Sequence, residues 1–297
     1  MKRVSVIIVT YNSEKHIYDC LDSVFKYNDI GDDLEVIIVD NKSNNYIITK
    51  EKIENTYKNK VLLVSNEKNG GYGQGNNVGI RYSTSPIIMI MNPDVRLVQP
   101  VFKRAIEVFE NTSVVQYGMQ QLDKNGRRAY SFAVSSTIHP LIGLPLTSIC
   151  NRFRIFLPRI MYLSGACFFI RKSSFEEIGL FDERLFMYRE EDDIHYRLMK
   201  RKKNQIVYDK NVGYKHLHGL YSKFDENDFA VEKTTLRNSI LINGERGFKR
   251  ETVIRRQILW TRLFLLKERI AAGFNNAETA KIRHMKSWIA QMREMIS

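Results

Sequence analysis

The chain has 297 residues, of which 43% are apolar and 27% charged, and it carries a net charge of +13. That balance supports a packed core, so disorder is not the default, while the length admits one large α/β domain or two smaller ones. The charge is uneven. Residues 1–100 hold 12 basic and 12 acidic side chains, whereas residues 249–297 hold 11 and 4. A basic surplus draws phosphates, whether in nucleic acid, anionic lipid or a diphosphate substrate.

Met1-Lys2-Arg3 leads straight into Val4-Ser5-Val6-Ile7-Ile8-Val9, which reads as a strand and not as a secretory leader. Val36–Val39, Val61–Val64 and Ile87–Met91 are β-branched or apolar runs of the same kind. Helical spacing falls between them at about 14–27, 46–57 and 74–84, the first with Asn12 or Ser13 as its cap and Ile17, Leu21 and Val24/Phe25 on its inner face. Strand and helix in alternation predict right-handed crossovers and a doubly wound, mostly parallel α/β sheet. Ligands bind beyond the carboxyl ends of such strands. Thr10-Tyr11-Asn12, Asp40-Asn41 and Asn92-Pro93-Asp94 each follow a strand, so they share one rim.

Ala129 to Cys150 contains no Asp, Glu, Lys or Arg but includes Pro140 and Pro145. It reads as a covered loop or as an acceptor-facing flap that could touch a membrane. A strand near 166–170 and helices near 173–178 and 190–202 come next, and the pattern turns helical after 230. There Ile254, Ile258 and Leu265 form an apolar stripe among Arg255, Arg256, Arg262, Lys267 and Arg269. Such a stripe suits packing on the catalytic domain, pairing of two subunits, or an anionic membrane. Asn275-Asn276 reads as a turn before a last helix. No apolar run approaches the ~20 residues of a membrane span. Cys20, Cys150 and Cys167 fit no disulfide framework and no metal spacing, so they are expected to be reduced thiols of a cytoplasmic protein.

Four polar sets carry candidate chemistry. Asp40 at a strand end can accept from a base or ribose, or can cap the following backbone. Asn69 to Asn77 holds four glycines before a helix, where backbone can approach phosphate, or it can be a plain loop; it matches neither the dinucleotide fingerprint nor a P-loop. Asp94 can be a hard-metal ligand, or Pro93-Asp94 can be a plain turn. Glu190-Glu191-Asp192-Asp193 can start a helix favourably, or can hold a general base whose pKa is raised by its neighbours. His216 and His218 can ligate metal or phosphate, or can be structural.

Together these segments resemble the family 2 glycosyltransferases, the inverting GT-A-fold enzymes, and most closely the bacterial rhamnosyltransferase-type members that build surface polysaccharides. The likeness runs through about residues 3–245. It rests on Val4 to Asn12, Val39-Asp40-Asn41-Lys42-Ser43, Asn69 to Asn77, Met91-Asn92-Pro93-Asp94, Ser164-Gly165-Ala166, Gly179-Leu180-Phe181-Asp182-Glu183 and Phe186 to Asp193. The resemblance implies a GT-A domain over 1–245, with a nucleotide-binding half at 1–98 and an acceptor and catalytic half at 99–245, and then a basic helical extension at 246–297.

The resemblance also implies roles. Thr10, Tyr11, Asn12, Asp40, Asn41, Gly71, Asn76 and Asn92 would bind the nucleotide. Asp94 matches the last acid of the family's D-x-D metal motif, whose first position here is Asn92, and His216 matches the family's C-terminal histidine, with His218 as a competitor. The cofactor implied is Mg²⁺ or Mn²⁺. Glu191 matches the catalytic base, as Glu in place of the commoner Asp, a change that moves the carboxylate by about 1.5 Å. Glu190 is the fallback, and Asp182 and Asp193 lie on the acceptor side. The implied reaction is in-line displacement from a nucleoside-diphosphate sugar, with deoxythymidine-diphosphate-rhamnose the first donor implied and UDP- and GDP-sugars open. The acceptor would be a glycan or a polyprenyl-diphosphate-linked sugar at the inner face of the plasma membrane. A catalytically silent nucleotide-sugar-binding protein is the alternative, because the metal motif is incomplete. A nucleic-acid-binding protein is disfavoured, since the first hundred residues are neutral and carry the nucleotide-type rim.

Overall fold

The computed structural model describes residues 2–217, 228–271 and 279–296. Its strands are β1 Val4–Thr10, β2 Leu34–Asp40, β3 Leu62–Ser65, β4 Ile87–Met91, β5 Val95–Leu97, β6 Val114–Leu122, β7 Phe132–Val134, β8 Met161–Leu163, β9 Cys167–Arg171 and β10 Gln205–His216. Its helices are α1 Glu14–Lys26, α2 Tyr46–Tyr57, α3 Gly71–Tyr82, α4 Phe102–Glu110, α5 Pro140–Phe153, α6 Lys172–Glu177, α7 Glu190–Met199, α8 Ala230–Glu245, α9 Arg250–Ala271 and α10 Ala280–Glu294.

Eight strands form one sheet in the order β3-β2-β1-β4-β9-β6-β10-β5, and β7 pairs with β8 in a second. In the large sheet β1 to β4 are parallel, β9 runs antiparallel between β4 and β6, and β10 lies parallel to β6 with β5 antiparallel at its edge. The sheet is therefore mixed but mostly parallel, as its apolar runs imply. β1 and β4 are almost wholly buried because helices cover both faces. One core packs α1 and α4 against Val4, Val6, Ile8, Val36, Ile38 and Phe169. The other face packs Ile7, Ile88, Ile90, Phe168 and Phe175 against α7 through Ile194 and Leu198.

The described chain forms two compact units: residues 1–133 with 150–219, and residues 134–149 with 220–297. The second has its own core, in which Ile254 and Ile258 of α9 meet Trp288, Ile289 and Met292 of α10 and Leu236 of α8. The α9 stripe is thus used for packing inside this unit. Helix α8 joins it as well, so the division does not fall at 245/246: the apolar side of α8 needs α9 and α10 to be covered.

Three local readings change. The glycine segment is not a loop before a helix at 74, because α3 begins at Gly71 and carries the glycines in its first turns against β1 and β2. Residues 129–150 are not one continuous loop: they hold β7 and the first eleven residues of α5. Pro140 occupies the first position of α5, where its missing N–H costs nothing. Pro145 lies inside the same helix. At α1 the cap residue is Ser13, but its side chain makes no capping bond to the helix. His218 and Asn275-Asn276 lie outside the described residues.

Candidate active site

The carboxyl ends of β1, β2 and β4 and the amino end of β9 meet on one rim: Thr10 stands beside Asp40, Asp40 beside Ser65, and Met91 beside Cys167. Hydrogen bonds stitch the loops leaving this rim into a continuous chain. The Thr10 hydroxyl donates to Asp40 Oδ1 at 3.2 Å, and the Ser43 N–H donates to Oδ2 at 2.8 Å. Asp40 therefore does cap the backbone after it, and its buried carboxylate keeps one lone pair per oxygen for a further donor. Asn12, with φ +49°, accepts from the Asn44 N–H at 2.9 Å and donates its own N–H to Ser43 Oγ at 2.8 Å. Tyr11 between them leaves its ring half exposed.

Asn41 donates from Nδ2 to the Gly71 carbonyl at 2.9 Å and accepts from Asn66 at 3.0 Å. Gly71 has φ +85°, and a Cβ there would lie 1.9 Å from the Phe186 carbonyl oxygen, so only glycine fits. That closeness lets the next N–H, of Tyr72, donate to the same carbonyl at 2.9 Å. Asn76, one turn along α3, is buried; its Nδ2 donates to the Tyr72 carbonyl, but its Oδ1 has no partner.

The chain of contacts continues to the acids. The Tyr72 hydroxyl donates to the Gly165 carbonyl at 2.6 Å, and the Gly165 backbone packs directly against the Glu191 carboxylate. A Cβ on Gly165 would sit 2.1 Å from Glu191 Oε1, so the backbone closes directly on the carboxylate. Burial raises the pKa of Glu191, offset in part by its own backbone N–H and then by the Arg189 charge and the Gly165 backbone. Burial, with the Glu191 charge beside it, raises Glu190 well above the ordinary range, and Glu190 Oε1 is buried without a partner. Ahead of them Tyr188 and Arg189 both adopt left-handed backbone, at φ +74° and +81°. The Tyr72, Tyr162 and Tyr214 hydroxyls are buried around Glu191, whose charge helps to raise their pKa values after burial itself.

On the other side of Ala166, whose carbonyl accepts the Asn92 N–H at 2.9 Å, the chain turns through Asn92-Pro93-Asp94-Val95 with the Val95 N–H on the Asn92 carbonyl at 3.1 Å. That turn brings Asp94 Oδ2 to 3.3 Å from His216 Nε2 at the end of β10. Among the described residues no group of three or more metal-ligating side chains occurs. The two remaining acids are braced. Asp193 pairs with Arg197 at 2.5 Å, and Arg197 also holds the Ile178 and Leu180 carbonyls. Asp182 is gripped by Arg184, whose hydrogen bonds lower its pKa.

The rim thus joins Thr10, Asn12, Asp40, Asn41, Gly71, Asn92, Asp94, His216 and Glu191 through bonded neighbours. Asp182 belongs to a turn clamped by Asn77, which bonds the Phe181 backbone on both sides. A cavity of about 440 Å³ lined by Lys2, Leu34 and Leu62 lies at the opposite, amino ends of β1 to β3, where parallel sheets do not seat ligands. Sequence reasoning gave no role to Gly165, Tyr72, Tyr162, Tyr214 or Arg189. Tyr72, Gly165 and Arg189 do fall in the motif segments Asn69 to Asn77, Ser164-Gly165-Ala166 and Phe186 to Asp193, whereas Tyr162 and Tyr214 fall in none.

A mixed sheet of this order, with its acids on the carboxyl rim, is the GT-A glycosyltransferase fold. The mannosyltransferase PcManGT from Pyrobaculum calidifontis, solved with GDP-Man and Mn²⁺, matches over 99% of this chain and 85% of its own, with a TM-score of 0.60 at 14% identity. Residues 5–179 match the model of glycosyl transferase family 2, and the chain belongs to that family. The low-salt glycan biosynthesis hexosyltransferase Agl10 of Haloferax volcanii is 28% identical over 206 residues, 68% of this chain and 63% of that protein. The N-acetylglucosaminyl-diphospho-decaprenol L-rhamnosyltransferase of Mycobacterium tuberculosis is 51% identical over 39 residues, 13% of each chain. The chain therefore spans less than two thirds of the length of these curated relatives.

Proposed function

We propose that the chain transfers a sugar from a nucleoside-diphosphate donor to a hydroxyl of a glycan or polyprenyl-diphosphate-linked acceptor, with inversion at the anomeric carbon. The observation that carries this reading is the Glu191 carboxylate, packed against the Gly165 backbone on the rim that also bears Asp40 and the Asp94–His216 pair. Thr10 and Asp40 would take the ribose and base, with the half-exposed Tyr11 ring available to stack on the base. Asn76 Oδ1 offers a buried acceptor one turn into α3.

Glu191 would accept the acceptor's proton as its oxygen attacks the anomeric carbon opposite the leaving diphosphate. A raised pKa makes the carboxylate a stronger base for that transfer. Glu190, raised further, stays protonated more readily and so spares Glu191 a second adjacent charge. One base and one displacement give inversion. Asp94 and His216 fit a divalent cation in part: they supply an oxygen and an imidazole close together, and diphosphate oxygens would fill the remaining positions. Mg²⁺ or Mn²⁺ bound there supplies positive charge to the departing diphosphate.

Rhamnose is the sugar suggested by the Mycobacterium tuberculosis relative, and hexoses by Agl10. Residues 1–98 would form the donor half and 99–219 most of the acceptor half. A lipid-linked acceptor would put the chain at the cytoplasmic face of the membrane. The test is nucleoside diphosphate release from labelled donors, compared between the native chain and Glu191→Gln. Donor-dependent release that falls by orders of magnitude in the variant supports the reading. Donor binding with no release from either protein would leave a silent binding protein.

A further inference from the structure

Helix α5 is apolar on both of its faces, and only one of them is covered. At 100° per residue, Pro140, Gly143, Thr147 and Cys150 share one arc, and all four are buried. Thr147 fixes that arc by accepting the Val134 N–H at 3.0 Å. The opposite arc carries Leu141, Ile142, Ile149 and Phe153, which are 55%, 60%, 53% and 64% exposed. Pro145 lies exposed among them, and Arg152 on the same arc is the helix's single charged residue. A helix apolar all round is normally buried all round, and a contiguous exposed apolar strip marks an interaction surface.

The charge around it selects the partner. α5 carries no Asp or Glu, Arg152 stands on its exposed arc, and Arg246 and Arg256 bond Ser136 and Thr137 just ahead of its first turn. A protein partner for an apolar strip needs no such one-sided field, whereas an anionic bilayer offers apolar depth and negative head groups together. The α9 stripe, the other candidate for a lipid contact, is already occupied by α10. No described helix is long and apolar enough to cross a membrane. A strip lying lengthwise along a helix of 14 residues suits insertion parallel to the surface.

We propose that the Leu141–Phe153 face of α5 docks the chain on an anionic lipid surface, lying in the interfacial plane with its apolar side chains below the head groups. This goes beyond the reading of the rim, and the two can fail separately. The experiment is co-sedimentation of the full chain with phosphatidylcholine vesicles, with and without phosphatidylglycerol, at low and high salt. The native chain is expected to pellet with the anionic vesicles and to be released by salt. Ile142→Asp/Ile149→Asp should bind at least about tenfold more weakly, since each exposed isoleucine loses its apolar burial in lipid. The same variant should keep its melting temperature and its nucleotide release with a soluble acceptor. Leu141→Ser/Phe153→Ser repeats the test if the aspartates perturb the helix. No binding of the native chain to anionic vesicles at low salt overturns the proposal, as does equal binding by both double variants. So does a native dimer in light scattering that the variants dissociate, which would assign the face to a second copy. A chain that pellets with lipid but releases nucleotide from no donor would sink the glycosyltransferase reading and leave the docking intact.

Discussion

Gly165→Ala tests the carboxylate at the centre of the site without touching it. The new Cβ would stand 2.1 Å from Glu191 Oε1 and 2.8 Å from Cδ, where ordinary contact begins near 3.4 Å. The carboxylate must therefore retreat by at least 1.3 Å, the difference between 3.4 and 2.1 Å. Misplacement of about 1 Å costs about 100-fold in rate, or roughly 2.7 kcal/mol of barrier. We expect kcat to fall by about that factor while KM for the donor, set on the other side of the rim, changes little. Glu191→Asp alone draws the carboxylate back by about 1.5 Å, so in that background the added methyl has room and Gly165→Ala should cost far less. Initial rates for the four proteins of this double-mutant cycle give the coupling directly. A kcat for Gly165→Ala within about threefold of the native value, in a protein with unchanged melting temperature, would refute the idea that this backbone contact places the base.

Glu190→Gln should alter the pH dependence of stability. The folded state raises the pKa of Glu190, so it binds the proton more tightly than the unfolded chain, and stability falls as pH rises from about 4.3 through the elevated value. Urea titrations across that range should show a flatter profile for the variant, and an unchanged slope would contradict the assignment. Asp94→Asn or His216→Ala should reduce the thermal shift produced by Mn²⁺ with a nucleoside diphosphate, and an undiminished shift in both would move the metal elsewhere. Gly71→Ala combines a left-handed φ with a 1.9 Å approach to the Phe186 carbonyl and should lower stability by about 1–3 kcal/mol in chemical denaturation. Cys20, Cys150 and Cys167 are free and buried, with burial pushing the Cys20 thiol up to about 12. Thiol reagents should label all three only after denaturant is added.

Much of the donor half was legible because its signals are local. The runs at Val4, Val36 and Ile87 are bounded by polar residues, and their period identifies buried strands without any knowledge of partners. Each rim residue then follows from being the first polar group after such a run. Where reading failed, the deciding force was distant. α3 starts at Gly71 because the Phe186 carbonyl, 115 positions away, leaves room for nothing larger. α5 survives Pro145 and a composition that reads as loop because its inner arc is held against Val134. The environment of Glu191 was hidden for the same reason, since Tyr72 reaches Gly165 across 93 residues and no spacing rule encodes that contact.

The left-handed pair Tyr188-Arg189 carries a consequence for how this chain can change. Two successive residues with side chains stand in a backbone region that glycine occupies at no steric expense. Each holds strain of order 1 kcal/mol or more, so glycine at either position offers a ready route to a sturdier fold. Arg189, however, sets its charge beside Glu191 and Tyr162. Selection for stability and selection for turnover therefore pull in opposite directions at this turn, and thermostabilising screens of the protein would be expected to recover Tyr188→Gly or Arg189→Gly at the expense of rate.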